Sequence, residues 1–299
     1  MEWSGYFQNE EFLEKTRLGM LLPEYRPRMQ QWLGLTDGCR ILDVGCGTGA
    51  FGGYLAEGLH GVSVTGLDID AALIAYAREK YASDMNSFSF LTADAEKLPF
   101  ADGAFDAVVS HTFLTSMPRY KAALLEMKRV CRKGGTVASL AGMRFTDVPT
   151  DQGVYPMEWK WKRRYDELLE KLWTMYQALV PYQQFTRGAD PGRIPLLFSE
   201  AGFASVCVYP VGSFWSLSNA AVPRETRLRY IELDLMSELK RMEAVASLPG
   251  ADQYFSAAEL EEMRALLRQR RDALIGSIDH NTIWEWSGNG NLLVIGKDS

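Results

Sequence analysis

The chain has 299 residues, 47% of them hydrophobic, which is long and apolar enough for one large domain with insertions or for two modest domains. Lys and Arg number 32 against 38 Asp and Glu, a formal charge of −6 with no basic block to follow a phosphate backbone, so nucleic acid is not the expected partner. Cys39, Cys46, Cys131 and Cys207 lie without CxxC spacing, which argues against a disulfide framework and a zinc site, so a reducing cytoplasm and no metal are expected. Acidic residues stand where a signal peptide needs positive charge, and no apolar run approaches spanning length, so no membrane association is expected.

In chain order, the first 35 residues read as helix, a turn at "LLPEYRP", and helix. From Ile41 short β-like runs alternate with helical stretches, the pattern of a parallel sheet covered on both faces. Strands are expected at 40–45, 62–68, 87–92, 105–110 and 134–141, with helices at 49–59, 70–82 and 119–133. In the last helix Leu124, Leu125, Met127 and Val130 are expected to face inward, with Gly134 and Gly135 stopping it. The alternation then fails, and an aromatic-rich helix reads over 157–180. It resumes with a helix over 190–203, closed by Gly202, and a strand over 204–212. A second interruption holds helices over 224–246 and 256–278, the latter opened by Ser256 and Glu259 at capping-box spacing. "NLLVIGK" (291–297) supplies a final strand. There is no internal repeat, low-complexity tract or Pro/Gly/Ser linker.

"ILDVGCGTGAF" (41–51) runs from an apolar strand through Asp43 to Gly45, Gly47 and Gly49. Alternate glycines let the backbone turn sharply and approach a ligand that a Cβ would repel, in front of a helix N-terminus that favours an anion. Taken alone the loop is ambiguous, because Gly45, Gly47 and Ala50 also fit the G-x-G-x-x-G/A spacing of a dinucleotide site. Asp68, ending "VTGLD", could accept bonds from ribose hydroxyls in either case, or cap the following helix, as Asp70 could. "ADAEKLPF" sets Asp94 beyond the third strand, ahead of a Leu98-Pro99-Phe100 turn, where it could also cap the turn at 95–98. "FDAVVS" enters the fourth strand.

With "DVGCGTG", "GLDID", "ADAEKLPF", "FDAVVS" and "RVCRKGG" in order and spacing, residues 41–141 resemble a class I S-adenosylmethionine-dependent methyltransferase. The similar group is the small-molecule one that includes ubiquinone and menaquinone biosynthesis methyltransferases. The resemblance implies an α/β fold: a doubly wound, Rossmann-like, seven-stranded and mostly parallel sheet, its last strand antiparallel, carrying helical insertions. It implies S-adenosylmethionine as cofactor, S-adenosylhomocysteine as product, and methyl transfer by in-line displacement to an O, N or C atom of a small organic acceptor. By the same resemblance Gly45, Gly47 and Gly49 line the methionine part, Asp43 supports that loop, Asp68 binds the ribose, Asp94 with Ala95 holds the adenine edge, and Cys46 and Ile69 are further cofactor-binding residues. Ser110 and His111 border the methionine end.

The domains expected are a cap segment 1–35 and a cofactor-binding domain of 36–141, 189–212 and 291–299. Insertions 142–188 and 213–290 are expected to form a substrate lid on a monomer or homodimer. His111 is the candidate general base, since imidazole titrates near neutrality, and the alternative is a structural or cofactor-contacting side chain. His60 and His280 read as capping residues. Trp159, Trp161, Tyr165, Trp173 and Tyr176 read as core, with a substrate cage as the alternative; Arg17, Arg26, Arg28 and Tyr6 are further candidates for ligand contact. Two other functions stay open at this point: an NAD(P)-dependent reductase, which would need a Tyr and Lys pair of the YxxxK type, and a non-catalytic cofactor-binding protein.

Overall fold

Strand β1 (Arg40–Val44) is buried along all but its first residue, as a strand at the middle of a two-layered sheet must be. In the computed structural model the described residues are 4, 9–82, 86–143, 153–154, 159–180, 188–217, 219–220, 222–280 and 284–298, with backbone alone for 153–154, 213–216 and 284–289. β1 pairs in parallel with β2 (Ser63–Asp68) and β4 (Phe105–His111). β3 (Ser87–Thr92) adds to β2, and β5 (Cys131–Met143) adds to β4, both in parallel. β8 (Trp284–Lys297) pairs antiparallel with β5, and β7 (Ser205–Ser216) also pairs with β8. These strands form the seven-stranded, mostly parallel Rossmann-like sheet, with order β3-β2-β1-β4-β5-β8 and β7 attached to β8. A two-residue strand, β6 (Gly153–Val154), pairs with the start of β8.

Alternation along the strands sorts the core into two layers. Leu42, Val108, Val137 and Val294 pack with α5 (Tyr120–Val130) and α7 (Ile194–Glu200) on one face. Ile41, Val109, Leu140 and Leu293 pack with α2 (Arg26–Leu33) and α3 (Ala50–Ala56) on the other. α4 (Ala71–Lys80) follows β2, starting at Asp70, whose side chain accepts from Ala72 N and Leu73 N. The 190–203 segment is a short 3-10 turn, Pro191–Arg193, followed by α7, and Gly202 ends it at φ +76°.

Two expectations are corrected. The helix over 119–133 stops at Val130, before the two glycines, because Cys131 is already extended and pairs with Phe105 while the Arg132 guanidinium donates to Asp106 Oδ1 at 2.6 Å. The strand therefore starts at Cys131 rather than 134. Leu125 does not face inward: it is 54% exposed, on the side of α5 opposite Leu124 and Met127.

The chain divides into two units. The sheet unit comprises Met20–Asp147, Gln183–Ser213 and Asn289–Ser299. The helical unit comprises Met1–Gly19, Val148–Tyr182 and Phe214–Gly288, so the N-terminal 35 residues are shared between the two. Its helices are α1 (Glu10–Met20), α6 (Trp161–Leu179), α8 (Arg224–Ala246) and α9 (Ala257–Ser277). Tyr165 and Tyr176 are buried core residues of α6, whereas Trp173 is 47% exposed. Within this unit Asp234 of α8 is buried between Lys15 Nζ, at 2.8 Å, and Arg270 Nη1, at 2.5 Å. Among the described residues no helix is long and apolar enough to cross a membrane.

Candidate functional site

Chain order reverses at β1: the sheet is wound outward through β2 and β3, then resumes on the other side at β4. Such a switch point opens a crevice beyond the carboxyl ends of the strands. Asp43 stands opposite Gly66 of β2 and Val109 of β4. Gly45, Asp68 and His111, each two residues further along, therefore emerge together at that edge.

The loop after β1 is shaped by its glycines. Gly45, Gly47 and Gly49 have φ of +70°, +54° and +74°, the left-handed region in which a side chain is strained. Space forbids side chains as well: a Cβ on Gly45 would lie 2.3 Å from the Phe113 ring, and one on Gly49 2.8 Å from the Phe90 ring. Gly45 N and Cys46 N both donate to Leu67 O, at 2.8 and 3.0 Å, which ties the loop to β2.

Carboxylates hold this loop through backbone amides. Asp43, 1% exposed, accepts from Gly52 N at 2.9 Å in the first turn of α3. Asp68 accepts from Gly47 N at 2.8 Å and from Asp70 N at 3.0 Å. Burial raises the Asp68 pKa above the ordinary carboxylate value, the two amide bonds oppose this, and the Asp70 charge adds to it. The cap of the following helix is Asp70 and not Asp68. Burial pushes the Cys46 thiol well above its usual pKa, helped by the Asp43 and Asp68 charges, so it is no nucleophile at neutral pH.

Ile69 is 72% exposed directly beyond Asp68, an apolar side chain at the rim of the crevice. Asp94 is exposed and its Oδ1 accepts from Glu96 N at 2.9 Å, so it caps the turn that precedes Leu98, while Ala95 is buried. Ser110 and His111 are both buried, but as consecutive strand residues they point to opposite faces. His111 lies on the α3 face, its ring centroid 5.3 Å from that of Phe51.

Several expected contacts lie elsewhere. His60 and His280 are exposed, with their backbone amides bonded to Asp37 and Ser277. Arg26 pairs with Glu57 at 2.5 Å, Arg28 is exposed, and Arg17 bonds Thr16 within α1. Tyr6 lies outside the described residues.

Two supporting residues escaped the sequence reading. Arg129 donates to Leu98 O, Phe100 O, Asp102 and Glu126, so the arginine of "RVCRKGG" fixes the "LPF" turn. Its spacing of three from Glu126 was the available signal. Thr112, at φ +53°, is the one non-glycine residue with positive φ among those described. It is held by bonds from its N–H to Leu140 O and from the Thr115 and Ser116 hydroxyls to its carbonyl. It turns the chain after His111 so that Phe113 covers Gly45. No residue type at position 112 signals this.

A methyltransferase-domain family matches residues 42–139. Demethylmenaquinone methyltransferases of Staphylococcus aureus, strains JH9 and Newman, are 34% identical over 187 residues, covering 62% of this chain and 76% of the relative. Among solved structures, phosphoethanolamine N-methyltransferase 2 of Haemonchus contortus is 16% identical with a TM-score of 0.51, covering 98% of this chain and 58% of that one in one complex, and 99% and 59% in a second. The chain belongs to the class I S-adenosylmethionine-dependent methyltransferases. It is a methyltransferase that uses S-adenosylmethionine, resembling the menaquinone methyltransferases, and the reductase and non-catalytic alternatives fall away. The glycine cradle, where a Cβ would collide, and the half-buried Asp68 carboxyl beside it fit such a cofactor.

Proposed function

We propose that the protein methylates a ring carbon beside a hydroxyl group on a small, reduced quinol-type acceptor. The observation that carries this reading is the 34% identity to demethylmenaquinone methyltransferases, whose name describes a quinone lacking a methyl group. The cofactor supplies a sulfonium-bound methyl as the electrophile, and its sulfur keeps the electron pair of the bond that breaks. Gly45, Cys46, Gly47 and Gly49 receive its methionine part, with Asp43 bracing the loop. Asp68 accepts from the ribose hydroxyls, Ile69 offers an apolar surface to the adenine, and Asp94 with Ala95 borders the adenine edge. Ser110 and His111 bound the methionine end.

His111 takes the proton of the acceptor hydroxyl, and the electron pair left on oxygen makes the neighbouring ring carbon nucleophilic; once it carries the methyl, that carbon gives up its hydrogen as a proton and the oxygen regains one, which restores the aromatic hydroxyl. The strand edge then contributes mainly alignment, since in-line displacement needs donor and acceptor held collinear. The insertions 142–188 and 213–290, with 1–35, act as a lid that excludes water. Their connections support this: the first insertion leaves the sheet at the end of β5 and the second rejoins β8 at Gly290, which pairs with Met143 at the ligand-bearing edge.

Labelled methyl uptake tests the reading on reduced quinols, phenols, amines and carboxylic acids. We expect 1,4-dihydroxynaphthalene, kept reduced, to be methylated on carbon. His111→Gln is expected to lower kcat by about 100-fold with S-adenosylhomocysteine affinity unchanged. Uptake by amines alone would overturn the acceptor class, and full activity of His111→Gln would overturn the base.

A further inference from the structure

Asn291 is an anomaly in the core of the sheet unit. Its relative exposure is 0%, and among the described residues neither Oδ1 nor Nδ2 has a hydrogen-bond partner. A buried carboxamide without partners is disfavoured relative to an apolar side chain of the same volume, and native cores contain few of them. Ser110 and Ser139 also lack hydroxyl partners among the described residues, but a serine hydroxyl is small and rotates, whereas a carboxamide carries two donor hydrogens and a carbonyl in a fixed plane.

Its position gives the anomaly a direction. Asn291 is opposite Gly142, and because β8 runs antiparallel to β5 it stands at the carboxyl edge of the sheet, where ligands bind. Oδ1 lies 3.6 Å from where a Gly142 Cβ would be, an ordinary contact distance, so the amide lies beside the glycine on the neighbouring strand. His111 pairs with Leu140, and Leu140 with Leu293, which puts His111 and Asn291 on one face of the sheet, separated by β5 and by one step of two residues. Two strand spacings, roughly 10 Å across, is a distance that one aromatic ring with its substituents bridges.

We propose that Asn291 is a substrate-positioning residue whose carboxamide hydrogen-bonds an oxygen of the acceptor ring, with Oδ1 accepting from a hydroxyl or Nδ2 donating to it. His111 takes the proton at one end of the ring, and Asn291 fixes the other end, so that one ring carbon points at the methyl donor. This assignment rests on the quinol reading.

Stability and activity are expected to move in opposite directions. Asn291→Leu removes the unsatisfied amide at similar volume, and we expect Tm to rise by about 3–6 °C. On 1,4-dihydroxynaphthalene we expect kcat/KM to fall 10- to 100-fold, mostly through KM for the quinol, with calorimetric affinity for S-adenosylhomocysteine unchanged. Asn291→Ser, which keeps a smaller hydrogen-bonding group, is expected to retain more activity than Asn291→Leu. Wild-type activity in a stable Asn291→Leu overturns the proposal and leaves the quinol reading standing. A lower Tm in both variants, or failure of both to fold, makes the amide structural and also overturns it. Absence of quinol methylation by a wild-type protein that binds S-adenosylhomocysteine overturns the quinol reading, and this assignment with it.

Discussion

The carboxyl edge of the sheet in one unit and the helical unit hold their carboxylates in opposite ways. In the sheet unit Asp43, Asp68, Asp70 and Asp94 accept from backbone amides: Gly52, Gly47 with Asp70, Ala72 with Leu73, and Glu96. In the helical unit Asp234 accepts from Lys15 and Arg270, Glu238 from Arg241, and Glu10 and Glu11 pair with Lys240. A carboxylate bonded to one or two amides keeps its charge and part of its lone-pair capacity, so it can still accept from a ligand. One that is enclosed by cations is neutralised, and its work is finished within the fold. The first arrangement suits a binding edge and the second a framework.

The largest effect expected on that comparison comes from Asp234. Burial alone would raise its pKa, but the Lys15 and Arg270 charges and hydrogen bonds hold it far below the carboxylate range. Asp234→Ala leaves two cations buried together and is expected to cost about 3–5 kcal/mol in chemical denaturation. The triple replacement Lys15→Met, Asp234→Leu, Arg270→Met is expected to recover most of that loss, because a buried ion cluster and a packed apolar one are often close in stability. A mild Asp234→Ala phenotype would mean that the triad is solvated rather than structural.

Asp68 tests the other side. Asp68→Asn keeps the shape but loses the charge, and S-adenosylhomocysteine affinity is expected to fall about 10- to 100-fold by calorimetry. The pH dependence has a definite sign. Burial raises the folded pKa above the ordinary aspartate value of 3.8, so ionising Asp68 in the free protein lowers stability as pH rises through the folded pKa. Ribose hydroxyls favour the ionised form, so wild-type affinity should rise across the same window and weaken as pH falls through it. Asp68→Asn should flatten this component, and an equal pH dependence in both proteins would break the assignment.

The sheet unit was the legible half. Its loops require particular residues, glycine at φ above zero and aspartate beside exposed amides, so "DVGCGTG" and "GLDID" carry their structure in their letters. Helical periodicity likewise located α6, α8 and α9, because each buries one face. The charged core was not legible, because Lys15 is 219 positions from Asp234 and Arg270 is 36 from it, and each alone reads as an exposed helix residue. Asn291 was hidden for a similar reason: one polar residue in "NLLVIGK" is unremarkable until its partners on β5 are known. The error at Cys131 arose because 119–133 is locally helical in pattern, while the pairing that pulls Cys131 and Arg132 into β5 comes from Phe105 and Asp106.

The smallest effect expected concerns a local signal in the helical unit. Ser256 accepts from Glu259 N at 3.2 Å, and Glu259 Oε2 accepts from Ser256 N at 3.0 Å, the reciprocal pair read from spacing. Lys171 donates to the other oxygen of Glu259 at 2.6 Å, and this bond, with those from Ser256, lowers the Glu259 pKa to about 2. A depressed carboxyl pKa contributes stability above its unfolded value that is lost as pH falls toward the folded one, here between 4.5 and about 2. Ser256→Ala removes one side of the box and is expected to lower Tm by about 2–4 °C at neutral pH, with the difference from wild type shrinking below pH 4. A loss as large as that of Asp234→Ala would mean that the capping box is coupled to the buried triad. A small one keeps the distinction between a helix end, set by its own neighbours in sequence, and a charged core assembled from three distant helices.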